Sequence, residues 1–421
     1  MSVPYDSREL RRAFRINIAD LALYWGGDAF ISTAIVLPLF VSQLTDSTIA
    51  IGLVATLYNV GIVVPQLLAA GFIRNLRRKK GFAVASYGVQ RLAYLLLAIA
   101  TLALGDSPGD LLVAFFVLFL VSSAGVGAGI PAHQDVIAKI VPADARGRLR
   151  GTGIFLASVI GIGAGLAARR IIEALPFPAG FAVCFLLAGL FGVASLVTIT
   201  FNREPAGAVA SGDPSFAGYL RELPGILTAD GNFRRFLYSR ITFSLSTLAV
   251  SFLPVFALDR FALAPQELGT MTAALMAGQM ISVLALGFIS DRRGHKVVLE
   301  IGAAALACAL ALAVAAPVPA AMYAAFVLVG CSNAALNIST VYIVMEFASP
   351  AQRSTYIALS STLIAPPTII APLLGGWLAG VIGYPALFLV ALVPTVAGLA
   401  YLRLAVREPR QLLMRTETEH R

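Results

Sequence analysis

Gly287-Phe288-Ile289-Ser290-Asp291-Arg292-Arg293-Gly294-His295-Lys296 is a charged, glycine-containing stretch held between two long apolar runs. Bounded in this way, it reads as a tight cytoplasmic turn joining two membrane helices, because short cation-rich loops between spanning segments stay on the inner side. A second copy lies 216 positions upstream: Gly71-Phe72-Ile73-Arg74-Asn75-Leu76-Arg77-Arg78-Lys79-Lys80 matches at Gly, Phe, Ile, Arg and the final Lys. Two copies of one loop in a 421-residue chain imply a duplicated helical bundle.

Composition agrees with a bilayer environment. The chain is 58% hydrophobic and 13% charged, with a mean hydropathy of +0.85, too apolar for a water-soluble domain of this length. The apolar runs are about 20 residues or longer, as spanning helices require, and the short alternating strands of an outer-membrane barrel are missing. A formal charge of +9 could suggest nucleic acid, but the cations fall in short loops between apolar runs, so topology accounts for them and no nucleic-acid partner is expected. Cys184, Cys308 and Cys331 lie inside apolar runs without metal-ligand spacing, so neither a disulfide framework nor a metal site is expected. Arg8, Arg11, Arg12 and Arg15 precede the first apolar run, and no small-residue cleavage site follows a short apolar core; a retained first helix is expected rather than a signal peptide.

Apolar segments fall near 18–43, 49–73, 82–104, 111–140, 152–172, 180–202, 236–257, 268–289, 297–316, 318–345, 355–379 and 383–405, six on each side of a polar middle. Loops on one side carry most of the cations, including the N-terminal tail, the 74–80 stretch, and Lys139, Arg146, Arg148 and Arg150. The opposite loops hold Arg169, Arg170 and Arg260 beside acids such as Asp46, Asp106, Asp110, Glu173, Asp259 and Glu267. This bias predicts a multi-pass inner (plasma) membrane protein with both termini cytoplasmic. In the polar middle, Phe216, Tyr219, Leu220, Leu223 and Ile226 recur at helical spacing, which predicts a short amphipathic helix on the cytoplasmic surface or, failing that, a disordered tether. The duplication shows again in Arg150, Thr152, Ile154, Leu156 and Ser158, which recur 203 positions later as Arg353, Thr355, Ile357, Leu359 and Ser361.

The loop spacing, Gly, three residues, Asp-Arg, one residue, Gly, one residue, Lys, resembles the signature of the major facilitator superfamily of secondary transporters. The stretch Ile130-Pro131-Ala132-His133-Gln134-Asp135, ending in Val141-Pro142-Ala143-Asp144-Ala145-Arg146-Gly147-Arg148, is similar to that family's exit from its fourth helix. The resemblance implies an all-α membrane protein: twelve transmembrane helices in two pseudo-symmetric six-helix bundles, at 1–202 and 236–421, joined by a cytoplasmic linker at 203–235. It also implies a conformational latch of Gly71, Asn75, Gly287, Asp291, Arg292, Gly294 and Lys296 with Arg148. In such a latch the loop carboxylate docks on a helix N-terminus in the opposite half, where free amides favour negative charge. Asn75 stands where the first loop would carry that aspartate, so the latch is expected to be lopsided, with Asp291 near residues 148–153 and Asn75 near Ser354.

Ionisable residues inside spans are expensive and count as functional candidates. Asp28 lies near the middle of its segment, about 3–5 Å from the centre, and the resemblance places the first helix against the central cavity. Asp28 is therefore expected to couple transport to protons and to meet substrate, or else to form a fixed pair with an arginine. Arg91, close to Tyr87, Gln90 and Tyr94, is the expected partner and tuner of that carboxylate. Asp20 is expected to be a solvated helix end or a helix N-terminal charge. His133 and Asp135 are candidates for proton relay and Gln134 for substrate contact, with a polar helix end as the alternative reading. In the second half Asn333, Asn337 and Thr340 share a helix face by their spacing, and with Ser244 and Gln279 they offer neutral hydrogen-bonding groups to a solute or between helices. Gly161 and Gly165 form a small-residue face, but the proline of the Gly-Pro-Gly-Gly cluster found in the family's drug antiporters is missing. With no Gly-x-x-x-x-Gly-Lys-Ser/Thr loop and no catalytic constellation, neither an enzyme nor a bound cofactor is expected. The expectation is a monomeric, lipid-embedded secondary transporter exporting a small organic solute by proton-coupled alternating access. The alternatives are a sugar-like importer or facilitator, and a lipid-handling or ligand-sensing protein without net transport.

Overall fold

The structure is a computed structural model describing residues 7–73, 76–206, 225, 227, 228, 230–348 and 353–409. It is helical almost throughout, with α1 (Ser7–Asp28), α2 (Val36–Ser42), α3 (Thr48–Ile73), α4 (Lys80–Ala103), α5 (Pro108–Ile140), α6 (Ala143–Ala174) and α7 (Ala179–Thr200) in the first part of the chain. There follow α8 (Gly231–Ser244), α9 (Thr247–Val250), α10 (Leu253–Phe261), α11 (Glu267–Arg293), α12 (His295–Ala315), α13 (Pro319–Phe347) and α14 (Arg353–Ala405). At 1.5 Å per residue the 53 residues of α14 would run about 80 Å, far more than a hydrocarbon core of about 30 Å. Gly383, at φ 78° and ψ 166°, breaks it into two spans, and among the described residues eleven long apolar helices thereby supply the twelve spans expected.

Two spans are interrupted. The first runs from α1 through a 3-10 turn at Ala29–Ile31 and a non-helical step to α2, where Ile35 takes φ −130° and ψ −62°. The seventh is cut between α8, α9 and α10 by turns at Leu245-Ser246 and Ser251-Phe252. Carried over by the 216-residue repeat, the first interruption falls on the second, so the duplication extends to where the helices break. Broken spans of this kind free backbone groups at membrane depth, which is tolerated where protein or a water-filled cavity satisfies them.

Contacts group the chain into one unit of residues 1–210 with 254–277 and another of 211–253 with 278–421. In the first, α5 packs against α3 and α4, and α1 against α6 and α7. The expected small-residue face is used here: Gly165 meets the backbone of Gly269, Gly161 lies against Met276, and Arg169 pairs with Glu267 at 3.0 Å and donates to Thr270 Oγ1 at 3.0 Å. This close approach joins the first turns of α11 to α6, which is why residues 254–277 group with the first unit. In the second unit α13 packs on α12 and α14 on α8, around Phe233, Phe236, Ile343 and Leu359. The expected linker helix around Phe216 to Ile226, and Asn75, lie outside the described residues, as do the side chains of Asp291 and Ser354.

Candidate functional site

Polar side chains from four helices converge inside the first unit. On α1, Asn17, Asp20, Tyr24 and Asp28 follow helical spacing and so share a face. Tyr87, Gln90, Arg91 and Tyr94 of α4 repeat that logic and are all buried. Arg91 is 4% exposed; its Nε donates to the Gly192 carbonyl at 3.2 Å, Nη1 to Gln90 Oε1, and Nη2 to Ser195 Oγ at 3.5 Å. Gly192 is needed there, since a Cβ would stand 3.0 Å from the Arg91 stem. The guanidinium carbon lies 4.8 Å from the Tyr24 ring and 5.0 Å from the Tyr87 ring, cation–π distances strengthened where water is excluded. Gln90 Nε2 donates to Tyr24 Oη at 3.0 Å, locking the amide that holds the arginine.

Two sequence expectations change here, and one alternative reading falls. Asp20 is not a solvated end: it is 4% exposed, accepts from Ser195 Oγ at 2.6 Å, and has Oδ2 3.7 Å from His133 Nε2. The reason is that α1 begins at Ser7, well before the apolar run, so Asp20 lies more than three turns into a helix that packs on α6 and α7. Arg91 and Asp28 line one small cavity with Tyr24, Ile31, Tyr94 and Gly192, but no ion pair joins them among the described residues, because Arg91 is drawn toward Ser195 and Asp20 instead. His133 is part of the cluster rather than a surface helix end, its Nδ1 3.2 Å from Tyr87 Oη.

Asp135 and Gln134 are placed apart from it. Gln134 is exposed, while Asp135 pairs with Lys79 at 2.9 Å and Lys139 at 2.8 Å. Lys139 also meets Glu204 at 2.8 Å, and that carboxylate, 1% exposed, accepts from the amides of Lys79 (2.9 Å) and Lys80 (2.7 Å) at the start of α4. Partial burial works against ionisation of Glu204, but the Lys139 ammonium and the two amides together hold its carboxyl below the usual range. The second signature loop is built alike. Gly294 takes φ +89°, a turn that suits glycine, between α11 and α12, and Glu408 Oε2 accepts from the Lys296 amide at 3.2 Å. Lys80 and Lys296, the last residues of the two signatures, reach carbonyls at the far end of their own repeat, at Thr200 and Asn202 and at Arg403. Sequence reading missed Glu204 and Glu408, although Arg203-Glu204-Pro205 recurs as Arg407-Glu408-Pro409 and would have found them. Of the remaining latch residues, Arg292 stacks on Phe288 at 4.0 Å, Arg148 is exposed, and Gly71 and Gly287 lie near the end of α3 and within α11.

The second unit carries its polar stripe on α13. Asn333 and Thr340 are half-buried and Asn337 exposed, and none of the three has a hydrogen bond among the described residues; Thr340 Oγ1 is a buried orphan. Ser244 Oγ instead bonds the Ile241 carbonyl of its own helix at 2.7 Å, and Gln279 is half-buried on α11. Arg240, which sequence reading did not single out, lies on α8 with its Nε buried without a partner and its guanidinium 5.4 Å from the Phe243 ring. No group of ligands suited to a metal ion occurs among the described residues.

Residues 236–420 match the family model described as Major Facilitator Superfamily. The fold of nearly the whole chain is similar to a mutant form of the nucleoside transporter NupG, at TM-score 0.70 and 15% identity over 94% of this chain and 99% of that one. It is also similar to a D-xylose-proton symporter (TM-score 0.66, 14% identity, 96% and 98% coverage) and to a bacterial homolog of the human lysosomal transporter Spinster (TM-score 0.57, 15% identity, 96% and 98%). No curated protein matches the sequence. The second half of the chain thus matches the Major Facilitator Superfamily model, and the fold of nearly the whole chain is similar to that of the membrane transporters just named.

Proposed function

We propose that this protein is a proton-coupled secondary transporter of a small polar solute, working by alternating access of two six-helix repeats, 1–202 and 236–421, joined by the 203–235 linker. The observation that carries the reading is Asp28: a carboxylate at the first break in a membrane span, beside a cavity and a fixed guanidinium but ion-paired with no cation among the described residues. A carboxylate in such a place is costly when ionised, so proton uptake there is favoured and can be tied to movement. The unpaired Asn333, Asn337 and Thr340 offer donors and acceptors suited to hydroxyl or amide groups of a solute, with Ser244, Gln279 and Gln134 as further contacts. We further propose a lipid-surrounded monomer in the inner membrane, with both termini placed on the cytoplasmic side by the distribution of the loop cations.

The scarcity of charge along the spans favours export of an organic compound. The neutral amide face favours uptake of a sugar-like or nucleoside-like solute, and the names of the similar folds lean the same way. Proteoliposomes holding a pH dye, given an imposed pH gradient and then D-xylose, uridine or a panel of organic cations, separate these readings by which probe moves protons and in which direction. Asp28→Asn is expected to abolish gradient-driven transport while leaving gradient-free exchange partly intact. A variant that still accumulates or extrudes its probe against a gradient removes Asp28 from the coupling role and passes it to His133.

A further inference from the structure

The polar cluster of the first unit contains two carboxylates and one fixed cation. Asp20 and Asp28 are eight residues apart on α1, two turns or about 12 Å, and Arg91 stands against the turn between them, over Tyr24. Asp20 is reached through a hydroxyl: Arg91 Nη2 donates to Ser195 Oγ, which donates to Asp20 Oδ1 at 2.6 Å. Asp28 meets Arg91 only across the cavity. The other oxygen of Asp20 faces His133 Nε2 at 3.7 Å, a buried nitrogen with no hydrogen-bond partner, and His133 leads on to Tyr87.

We propose that Asp20 with His133 forms a second proton station, and that the cluster holds one proton shared between this station and Asp28, with Arg91 serving whichever carboxylate is left ionised. This rests on the proton-coupled reading above and extends it to a residue and a partner exchange that the reading does not contain. Charge balance carries this, because Asp20 and Arg91 are buried and Asp28 is half-buried. With both carboxylates ionised and His133 neutral the cluster carries a net negative charge, and one proton cancels it. A proton on Asp28 leaves Asp20 with Arg91, and the structure holds the Arg91–Ser195–Asp20 link that this arrangement uses. A proton on Asp20, or on His133 as a pair with ionised Asp20, leaves Arg91 for Asp28. Moving the proton between stations breaks one O–H bond and forms one O–H or N–H bond, with no net change in the cluster's charge.

The groups facing these acids are few. Asp20 sees His133 from α5, Arg91 and Tyr87 from α4, and Tyr24 from its own helix; Asp28 sees Arg91 and Tyr94 from α4, Tyr58 from α3, and Tyr24. Neither α6 nor α7 adds a charged group to them among the described residues, so Arg91 is the one permanent charge the two acids compete for.

The experiment is an infrared pH titration of the purified full-length protein, following the carboxylic-acid C=O stretch, with the proton itself as probe. Asp28→Asn identifies the Asp28 band in the wild type. Asp20→Asn then frees Arg91 for Asp28, and the Asp28 midpoint is expected to fall by about one pH unit or more, a roughly tenfold loss of proton affinity, although the substitution lies two turns away. Ser195→Ala, which keeps both acids and cuts only the hydroxyl link, is expected to move it the same way by less, and gives the answer if Asp20→Asn does not fold. An Asp28 midpoint that stays within about 0.3 unit in both variants overturns the shared-proton inference and leaves coupling at Asp28 standing. Loss of no carboxyl band in Asp28→Asn overturns both.

Discussion

Glu204→Gln removes the charge from a carboxylate that fastens the first signature loop. In the folded protein it accepts from two amides at the start of α4, at 2.9 and 2.7 Å, and from the Lys139 ammonium at 2.8 Å, with its side chain 1% exposed. Charge-assisted bonds of this kind contribute about 1.5–3 kcal/mol each, but glutamine keeps an acceptor and Lys139 keeps Asp135, so the local loss is expected to be about 2–4 kcal/mol. The sign of the pH dependence follows from the depressed carboxyl. Its stabilisation is present above the unfolded value near 4.5 and is lost as pH falls through the lower folded value. Amide hydrogen exchange at Lys79, Lys80 and the next turn of α4 reads the opening directly. Wild type should lose protection as pH drops below about 4.5, after correction for intrinsic exchange, whereas Glu204→Gln should be faster at neutral pH and flat through that window. Protection unchanged to within about 0.5 kcal/mol in the variant would refute the assignment of Glu204 as the fastener of this loop.

Arg91→Ala should lower the thermal stability of the detergent-solubilised protein by about 3–5 kcal/mol, because buried Asp20 loses the fixed cation it reaches through Ser195; full stability with lost transport would point to direct substrate contact instead. Gly269→Val should loosen the α6 to α11 contact, since a Cβ there would run into the Gly165 carbonyl oxygen, and a melting midpoint equal to wild type would count against that packing. Gly294→Ala places a side chain at φ +89° and against the Glu408 carboxyl, so a loss of about 1–2 kcal/mol and faster exchange at the Lys296 amide are expected; unchanged exchange would mean that the turn relaxes freely.

The sequence by itself determined the membrane class, the spans, the duplication and the placing of Asp28. These are properties of runs and spacings: about twenty apolar residues in a row report hydrocarbon depth whatever packs around them, and a repeated loop reports a repeated bundle. It reported the polar residues of α13 as a face for the same reason, since residues three and four apart share a side of any helix. Pairing was decided by tertiary structure alone. Asp20 finds Ser195 across 175 positions and His133 on yet another helix, and Arg91 chooses that side over Asp28 because Gly192 and Ser195 of α7 hold its guanidinium there. Depth along a helix can be counted from sequence, but its rotation and neighbours cannot, and those decide which buried charge meets which. Where the meeting residues recur in both halves, as with Glu204 and Glu408, the pattern was written in the chain; where one helix packs on another only once, as at Asp20, only the folded bundle could show it.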